Sequence, residues 1–332
     1  MIRYAVVGTG WRSEFYARVA KALPDDFQMV AWLCRNTEKM TKLNEQYGIH
    51  TTMSEDEVVN LKPDFIVCAV NKASISEVAE YWAEKGIPVL SETPAAMDTD
   101  TLKHLKKCVQ KGLRMQVAEQ YFLMPDIRMI IEEAQSGIIG EPVTVTLSAM
   151  HDYHAVSVIR QLLNTGFENV SITGKIFTTK VTNTKTRYET LTDGRIIDAK
   201  QKHLIMEYES GKTAFYDFMS EQYRSPIRNR YINVRGTRGE IVNDTVYYLN
   251  DNNMPAVKKL NVVNPYEKNG LNYDEAAIAD LLVRMKRYVD TGIEAYSFDE
   301  ALYDAYVSIL MDKAGSNSYE TFYSEKGGNN NG

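Results

Sequence analysis

The 332-residue sequence predicts an α/β protein of two domains, and three observations carry that prediction. The first 120 residues alternate short apolar runs with amphipathic segments, and a Gly8–Thr9–Gly10 turn closes the first apolar run. From about Asn169 to Leu260 the chain is rich in Thr, Val, Ile and Tyr between turn residues. Alternation of the first kind marks a parallel sheet covered by helices on both faces; the later texture marks a mainly antiparallel one. The expected division is an N-terminal α/β domain over residues 1–120 and a C-terminal α+β domain with a large mainly antiparallel sheet over 121–315. A flexible tail follows over 316–332, ending in GGNNNG.

In chain order, Ile2–Val7, Gln28–Cys34, Phe65–Val70, Pro88–Ser91 and Arg114–Val117 read as buried strands. Ser13–Ala22, Thr37–Tyr47, Ile75–Lys85 and Thr99–Gln110 read as the helices between them. Beyond Tyr121, a helix over Pro125–Ser136 is broken at Gly140–Glu141–Pro142. Val143–Ala149 alternates like a half-exposed strand, and a helix starts near His154 and runs to Leu163. Two helices, about Tyr273–Thr291 and Phe298–Ala314, close the ordered part.

Composition narrows the function classes. With 44% hydrophobic and 25% charged residues, the chain has no apolar run near the roughly 18 residues of a membrane span. MIRYAVVGTG lacks the long apolar core of a secretory signal, so a cytoplasmic location is expected. A net charge of −6 argues against nucleic acid as a partner, which requires a concentrated basic face. Cys34, Cys68 and Cys108 are widely separated, with no CxxC or Cys/His ligand spacing, so neither a disulfide frame nor a metal site is expected.

The turn carries the first chemistry. Two glycines directly after an apolar strand and before a helix let the backbone approach a pyrophosphate at a helix N-terminus, which predicts a Rossmann dinucleotide-binding domain; the other reading is a tight turn in an α/β fold that binds no nucleotide. The third glycine of the fingerprint falls at Ser13, whose hydroxyl is placed to cap the helix. Where the second strand ends, at Leu33–Cys34–Arg35–Asn36, no carboxylate is available for a ribose 2′-hydroxyl, whereas Arg35 offers a forked donor for a 2′-phosphate. NADP is therefore preferred over NAD. Gly8, Thr9, Gly10, Trp11, Arg12, Arg35 and Val70 form the expected cofactor set, with Glu92 and Glu119 at the carboxyl edge of later strands.

Ser91–Glu92–Thr93–Pro94, Glu119–Gln120–Tyr121, Ser136–Gly137–Ile138–Ile139–Gly140, His154–Ala155–Val156–Ser157, Arg235–Gly236–Thr237–Arg238–Gly239–Glu240 and Asp299–Glu300–Ala301–Leu302 follow one another in an order that resembles the Gfo/Idh/MocA family of oxidoreductases. The resemblance spans nearly the whole length. It implies hydride transfer on a sugar, polyol or related hydroxyl, and a homodimer or homotetramer assembled through the open face of the C-terminal sheet. Two departures stand out. Thr93 occupies the place of the lysine in the family's Glu-Lys-Pro motif, and threonine carries neither a useful acid/base pKa nor a positive charge. In the second motif only His154 matches; Met150 and Ser157 hold the positions of its aspartates.

His151–Asp152–Tyr153–His154 concentrates titratable groups at a strand-to-helix junction. His154 is the leading proton carrier, its unperturbed pKa lying near neutrality. Asp152 is placed to orient it or to anchor a sugar hydroxyl, with Tyr153 or His151 as alternative carriers and Thr93 beside them as the remnant of the lysine position. His151, Tyr121 and Arg160 are the candidate substrate contacts, Arg160 for an anionic group; a salt bridge within the domain is the other reading of Arg160. A dinucleotide-binding sensor or partner subunit with little dehydrogenase activity is the alternative function.

Overall fold

The computed structural model describes residues 1–294, 296–314 and 320–321, and the chain resolves into two compact units. Among the described residues, the first holds Met1–Pro125 and Val263–Tyr306; the second holds Asp126–Val262 and the described residues from Val307.

In the first unit, β1 (Ile2–Val7), β2 (Phe27–Leu33), β3 (Thr51–Thr52), β4 (Phe65–Cys68), β5 (Val89–Ser91) and β6 (Met115–Val117) form one parallel sheet in the order β3-β2-β1-β4-β5-β6. That is the Rossmann strand order, with the switch of direction beside β1. The connecting helices are α1 (Ser13–Ala22), α2 (Thr37–Tyr47), α3 (Glu55–Asn60), α4 (Ile75–Glu84) and α5 (Thr99–Gln110). The short β3 and α3 escape the sequence reading because neither two residues nor six carry a period. Central strands are apolar on both faces: Tyr4, Ala5 and Val6 on β1 and Phe65 to Cys68 on β4 are fully buried, each large side chain contributing about 1.5–3 kcal/mol of burial. The Tyr4 hydroxyl stays satisfied by donating to the Tyr16 carbonyl at 2.7 Å.

The second unit begins with α6 (Pro125–Gln135), β7 (Pro142–Ser148) and α7 (Asp152–Leu163), continues through β8 (Val170–Thr182), β9 (Ile196–Tyr208), β10 (Thr213–Met219), β11 (Tyr231–Gly236), β12 (Gly239–Val242), β13 (Thr245–Leu249) and β14 (Pro255–Lys259). These strands lie in the order β14-β13-β12-β11-β7-β10-β9-β8, with β15 (Glu320–Thr321) beside β8. All neighbours are antiparallel except β7 and β10, which run parallel. Alternation is clean: Val145 and Leu147 on β7, Leu204 and Met206 on β9, and Ala214 and Tyr216 on β10 are buried, while Ile205 and Phe215 face outward. Helix α7, buried along nearly its whole length, packs on β7.

The chain then forms α8 (Tyr273–Thr291) and α9 (Phe298–Ala314). Here the contiguous division expected from chain order is redrawn. Helix α8 packs on α1 and β1, and its first turn is tied to α1 by Arg12–Asp274 and Arg18–Glu275 ion pairs. Long-range packing of this kind has no local signature. The tail expected from residue 316 lies, apart from the β15 backbone, outside the described residues.

Candidate functional site

Parallel strands place the ends of β1, β2, β4, β5 and β6 along one edge of the first sheet, which is where open α/β sheets take ligands. Gly8 follows β1 at φ +113°, and a Cβ built there lies 2.3 Å from the Ala69 carbonyl oxygen and 3.2 Å from Val70 Cγ1. Only glycine fits between these two strand ends. Gly10 is different, since a Cβ there meets nothing within 4 Å. Its missing side chain leaves open space over the turn at the start of α1, a cradle of the kind that suits a phosphate at a helix N-terminus.

Ser13 corrects one expectation. It is fully buried as the first residue of α1, but its hydroxyl donates back to the Gly10 carbonyl at 2.6 Å instead of capping the helix. The Ser13 N–H joins the same carbonyl at 3.0 Å, so the hydroxyl locks the turn rather than the helix end. From the neighbouring strand, Trp32 Nε1 donates to the Gly8 carbonyl at 2.7 Å and pins the other side of the turn.

Arg12, expected on the cofactor, is held by protein carboxylates. Its Nε donates to Glu92 at 2.9 Å and its Nη1 to both oxygens of Asp274 at 3.0 and 3.1 Å, with Phe15 4.8 Å beneath the guanidinium. Burial alone lowers the Arg12 pKa, but Glu92 and Asp274 more than offset it and hold it well above its ordinary value. Glu92 also accepts from the Tyr16 hydroxyl at 2.6 Å, and burial followed by this carboxylate pushes the Tyr16 pKa far up. These contacts brace the Glu92 loop. Tyr16 and Asp274 were not legible: the first is a helix aromatic like any other, the second lies 262 positions from Arg12.

Around this core, Thr93 precedes a cis peptide to Pro94. Glu119 is buried and accepts the Tyr121 N–H at 2.9 Å at the start of a short 3-10 turn. Buried Gln120 donates to Asp274 at 3.3 Å. Trp11 is 41% exposed, edge-on to Phe15. Arg35 is exposed after β2 and has no hydrogen bond or ion pair among the described residues, while Asn36 behind it caps α2.

The second cluster belongs to the second unit. His151 precedes α7; its Nδ1 lies 2.5 Å from the Tyr223 hydroxyl and its Nε2 3.0 Å from the Tyr153 hydroxyl. The His154 ring stacks tilted on Tyr153 at 4.3 Å and edge-on to His151 at 4.8 Å, and the residue is only 4% exposed. His151, Tyr153 and His154 are therefore brought together, with Tyr223 as a member that sequence reasoning missed. Asp152 is not. Its carboxylate accepts from Lys202 Nζ at 2.6 Å and from the Tyr216 hydroxyl at 3.5 Å, and its backbone at φ +36° is held by donation to the Tyr216 oxygen at 3.0 Å. Arg160 is 3% exposed, donating to the Gly166 carbonyl at 2.8 Å with Phe167 against its guanidinium. Both residues corrected here point their charge into the fold because a neighbouring strand or loop supplies the partner.

Residues 2–119 match the model of the Gfo/Idh/MocA family, an oxidoreductase family with an NAD-binding Rossmann fold. The N-terminal domain is thus similar to the nucleotide domain of that family. No curated protein sequence matches the chain. Solved structures align with nearly the whole chain. A levoglucosan dehydrogenase solved with NADH aligns at TM-score 0.76 and 15% identity over 97% of this chain and 99% of its own. An oxidoreductase from Agrobacterium radiobacter, solved with NAD+, L-tartaric acid and magnesium, aligns at 0.72 and 17% over 96% and 97%. An NAD binding oxidoreductase from Klebsiella pneumoniae aligns at 0.74 and 15% over 98% and 100%. At these identities the likeness is one of fold. No described helix is long and apolar enough to cross a membrane.

Proposed function

We propose that this protein is an NAD(P)-dependent oxidoreductase acting on a CH–OH group of a sugar, polyol or related small molecule. The observation that carries the reading is the turn after β1: Gly8 admits no side chain, Gly10 leaves open space, and both sit in a domain matched by an NAD-binding oxidoreductase model. The residues fit a dinucleotide. Gly8, Thr9 and Gly10 face its pyrophosphate, Trp11 and Val70 flank it, and Arg35, exposed and unengaged, takes a ribose 2′-phosphate, so NADP is preferred to NAD. Arg12, Glu92 and Glu119 act behind this surface, keeping the strand ends in place.

When bound, the nicotinamide accepts or supplies the hydride. The chain's own task is to hold the hydroxyl and move its proton. With threonine at position 93, that work falls to the histidine cluster: His154 holds the motif position, and because it is buried, its proton passes through Tyr153 and His151, which the Tyr223 hydroxyl positions. His151 is the substrate contact in this reading.

Thr93 also favours a second reading, a dinucleotide-binding sensor without turnover, since no cation there stabilises a developing alkoxide. A panel of sugars, inositols and sugar acids with NADP and NAD, followed at 340 nm, decides. Turnover of any member supports the enzyme; tight nucleotide binding with no absorbance change throughout leaves the sensor.

Outward-facing Ile205 and Phe215 are register partners on β9 and β10, with Tyr231, Tyr247 and Val257 exposed on the strands beyond. We take this face as the contact of a homodimer or homotetramer. Phe215→Asp then lowers the mass measured by light scattering; an unchanged mass sinks the assignment. Three buried free cysteines suit a reducing, cytoplasmic setting.

A further inference from the structure

Away from the nucleotide turn, three different ligand types converge between α4 and α5. His104 and Cys108 stand one helical turn apart on α5, so their side chains share a face. Glu80 on α4 faces them. His104 Nε2 lies 2.8 and 2.9 Å from the two Glu80 oxygens, Cys108 Sγ lies 3.3 Å from Oε1, and Sγ and Nε2 are 3.5 Å apart. A single point within bonding reach of a thiol, an imidazole and a carboxylate is the arrangement of a transition-metal site.

The distances allow a sharper comparison. Tetrahedral zinc, at about 2.3 Å from sulfur, about 2.05 Å from nitrogen and about 2.0 Å from oxygen, spaces S and N by about 3.6 Å, S and O by about 3.5 Å, and N and O by about 3.3 Å. The sulfur distances already agree within about 0.2 Å, and the Glu80 carboxylate needs to withdraw from His104 by about 0.5 Å to admit the ion. Cys108 is buried on the inner side, whereas the His104 side chain is 55% exposed, which leaves the fourth position to water. Among the described residues this is the one group of three or more His, Cys, Asp or Glu side chains so arranged.

We propose that Glu80, His104 and Cys108 bind zinc with three protein ligands and one water. The ion staples α4 to α5. Between these helices the chain runs through β5 and then Glu92–Thr93–Pro94, so the staple spans the segment that presents Glu92 to Arg12. This inference does not depend on the proposed oxidoreductase reaction.

The test uses the full chain, stripped with chelator and titrated with zinc by calorimetry, and in parallel with cobalt as an optical probe. A single equivalent of zinc should bind, cobalt should give a thiolate charge-transfer band with the intensity of four-coordination, and zinc should raise the melting temperature. Cys108→Ser and His104→Ala should each weaken zinc by at least about tenfold, while His50→Ala, which removes a surface histidine paired with Glu57, leaves uptake unchanged. Absence of a thiolate band in the unsubstituted protein, or zinc affinity in Cys108→Ser and His104→Ala unchanged from that of the unsubstituted protein, overturns the proposal. Because the cobalt band is read on the unsubstituted chain, a variant that fails to fold does not blunt the test.

Discussion

Arg12 Nε donates to the Glu92 carboxylate at 2.9 Å, while the same guanidinium holds Asp274 with its Nη1. One cation on the first turn after the glycines thus joins the β5 loop to the start of α8. Removing it leaves two carboxylates facing each other in a largely buried setting. Arg12→Ala is expected to destabilise the first unit by about 2–4 kcal/mol, with Arg12→Lys recovering only part because an ammonium cannot fork between two carboxylates. Urea unfolding measures it; a loss under about 0.5 kcal/mol, as for an ordinary surface pair, contradicts the buried reading.

The two glycines are predicted to separate. Gly8→Ala forces a Cβ to within 2.3 Å of the Ala69 oxygen at positive φ, so it should lower the melting temperature sharply and abolish nucleotide binding with it. Gly10→Ala meets open space and should fold with a stability change within about 1 kcal/mol, yet weaken NAD(P)H binding by fluorescence titration. Full affinity in Gly10→Ala would remove the cradle.

Arg35→Ala is expected to weaken NADP by about tenfold or more while leaving NAD nearly unchanged, because the lost interaction is a charge-assisted pair with the 2′-phosphate. Competition binding with both nucleotides checks it; equal losses mean Arg35 does not read the phosphate.

For the proton path, His154→Ala should cost about 100-fold or more in kcat with cofactor affinity intact. Tyr223→Phe should shift the pH profile of kcat with a smaller loss, since it only positions His151. Turnover retained in His154→Ala transfers the role to Tyr153 or His151.

Lys202 provides a pH prediction. Burial pulls its pKa down, but Asp152 and Asp312 outweigh this and hold it above the ordinary value of 10.5. A raised folded pKa means the contribution is complete below that value and is lost as pH climbs through the folded one. Unfolding free energy of the wild type should therefore fall more steeply above about pH 10.5 than that of Lys202→Met, which should already be lower at neutral pH by about 1–3 kcal/mol. Parallel pH curves for the two proteins would refute the assignment.

Much of the architecture was legible in the chain itself. Apolar runs such as Tyr4–Val7 and Phe65–Cys68 can be stable only between two helical layers, and alternation along Val143–Ala149 suits a sheet with one wet face. Gly8 announced itself as a position for glycine because the chain turns there at once from a strand into a helix, and a Cβ would meet the Ala69 carbonyl. Those are local physical demands, written in adjacent residues. Tertiary structure alone decided where charges go. In the sequence Arg12 read as a cofactor contact, Asp152 as a partner of His154 or of a sugar hydroxyl, and Arg160 as a substrate contact or an internal salt bridge; folding instead brought Asp274, Lys202 and the Gly166 carbonyl to them. Likewise α8 looked like part of the second domain until its packing on α1 assigned it to the first, and Glu80 joined His104 and Cys108 only across two helices. Periodicity reports which face of an element is buried; it carries no record of what that face meets, because the partner's position depends on every turn between them.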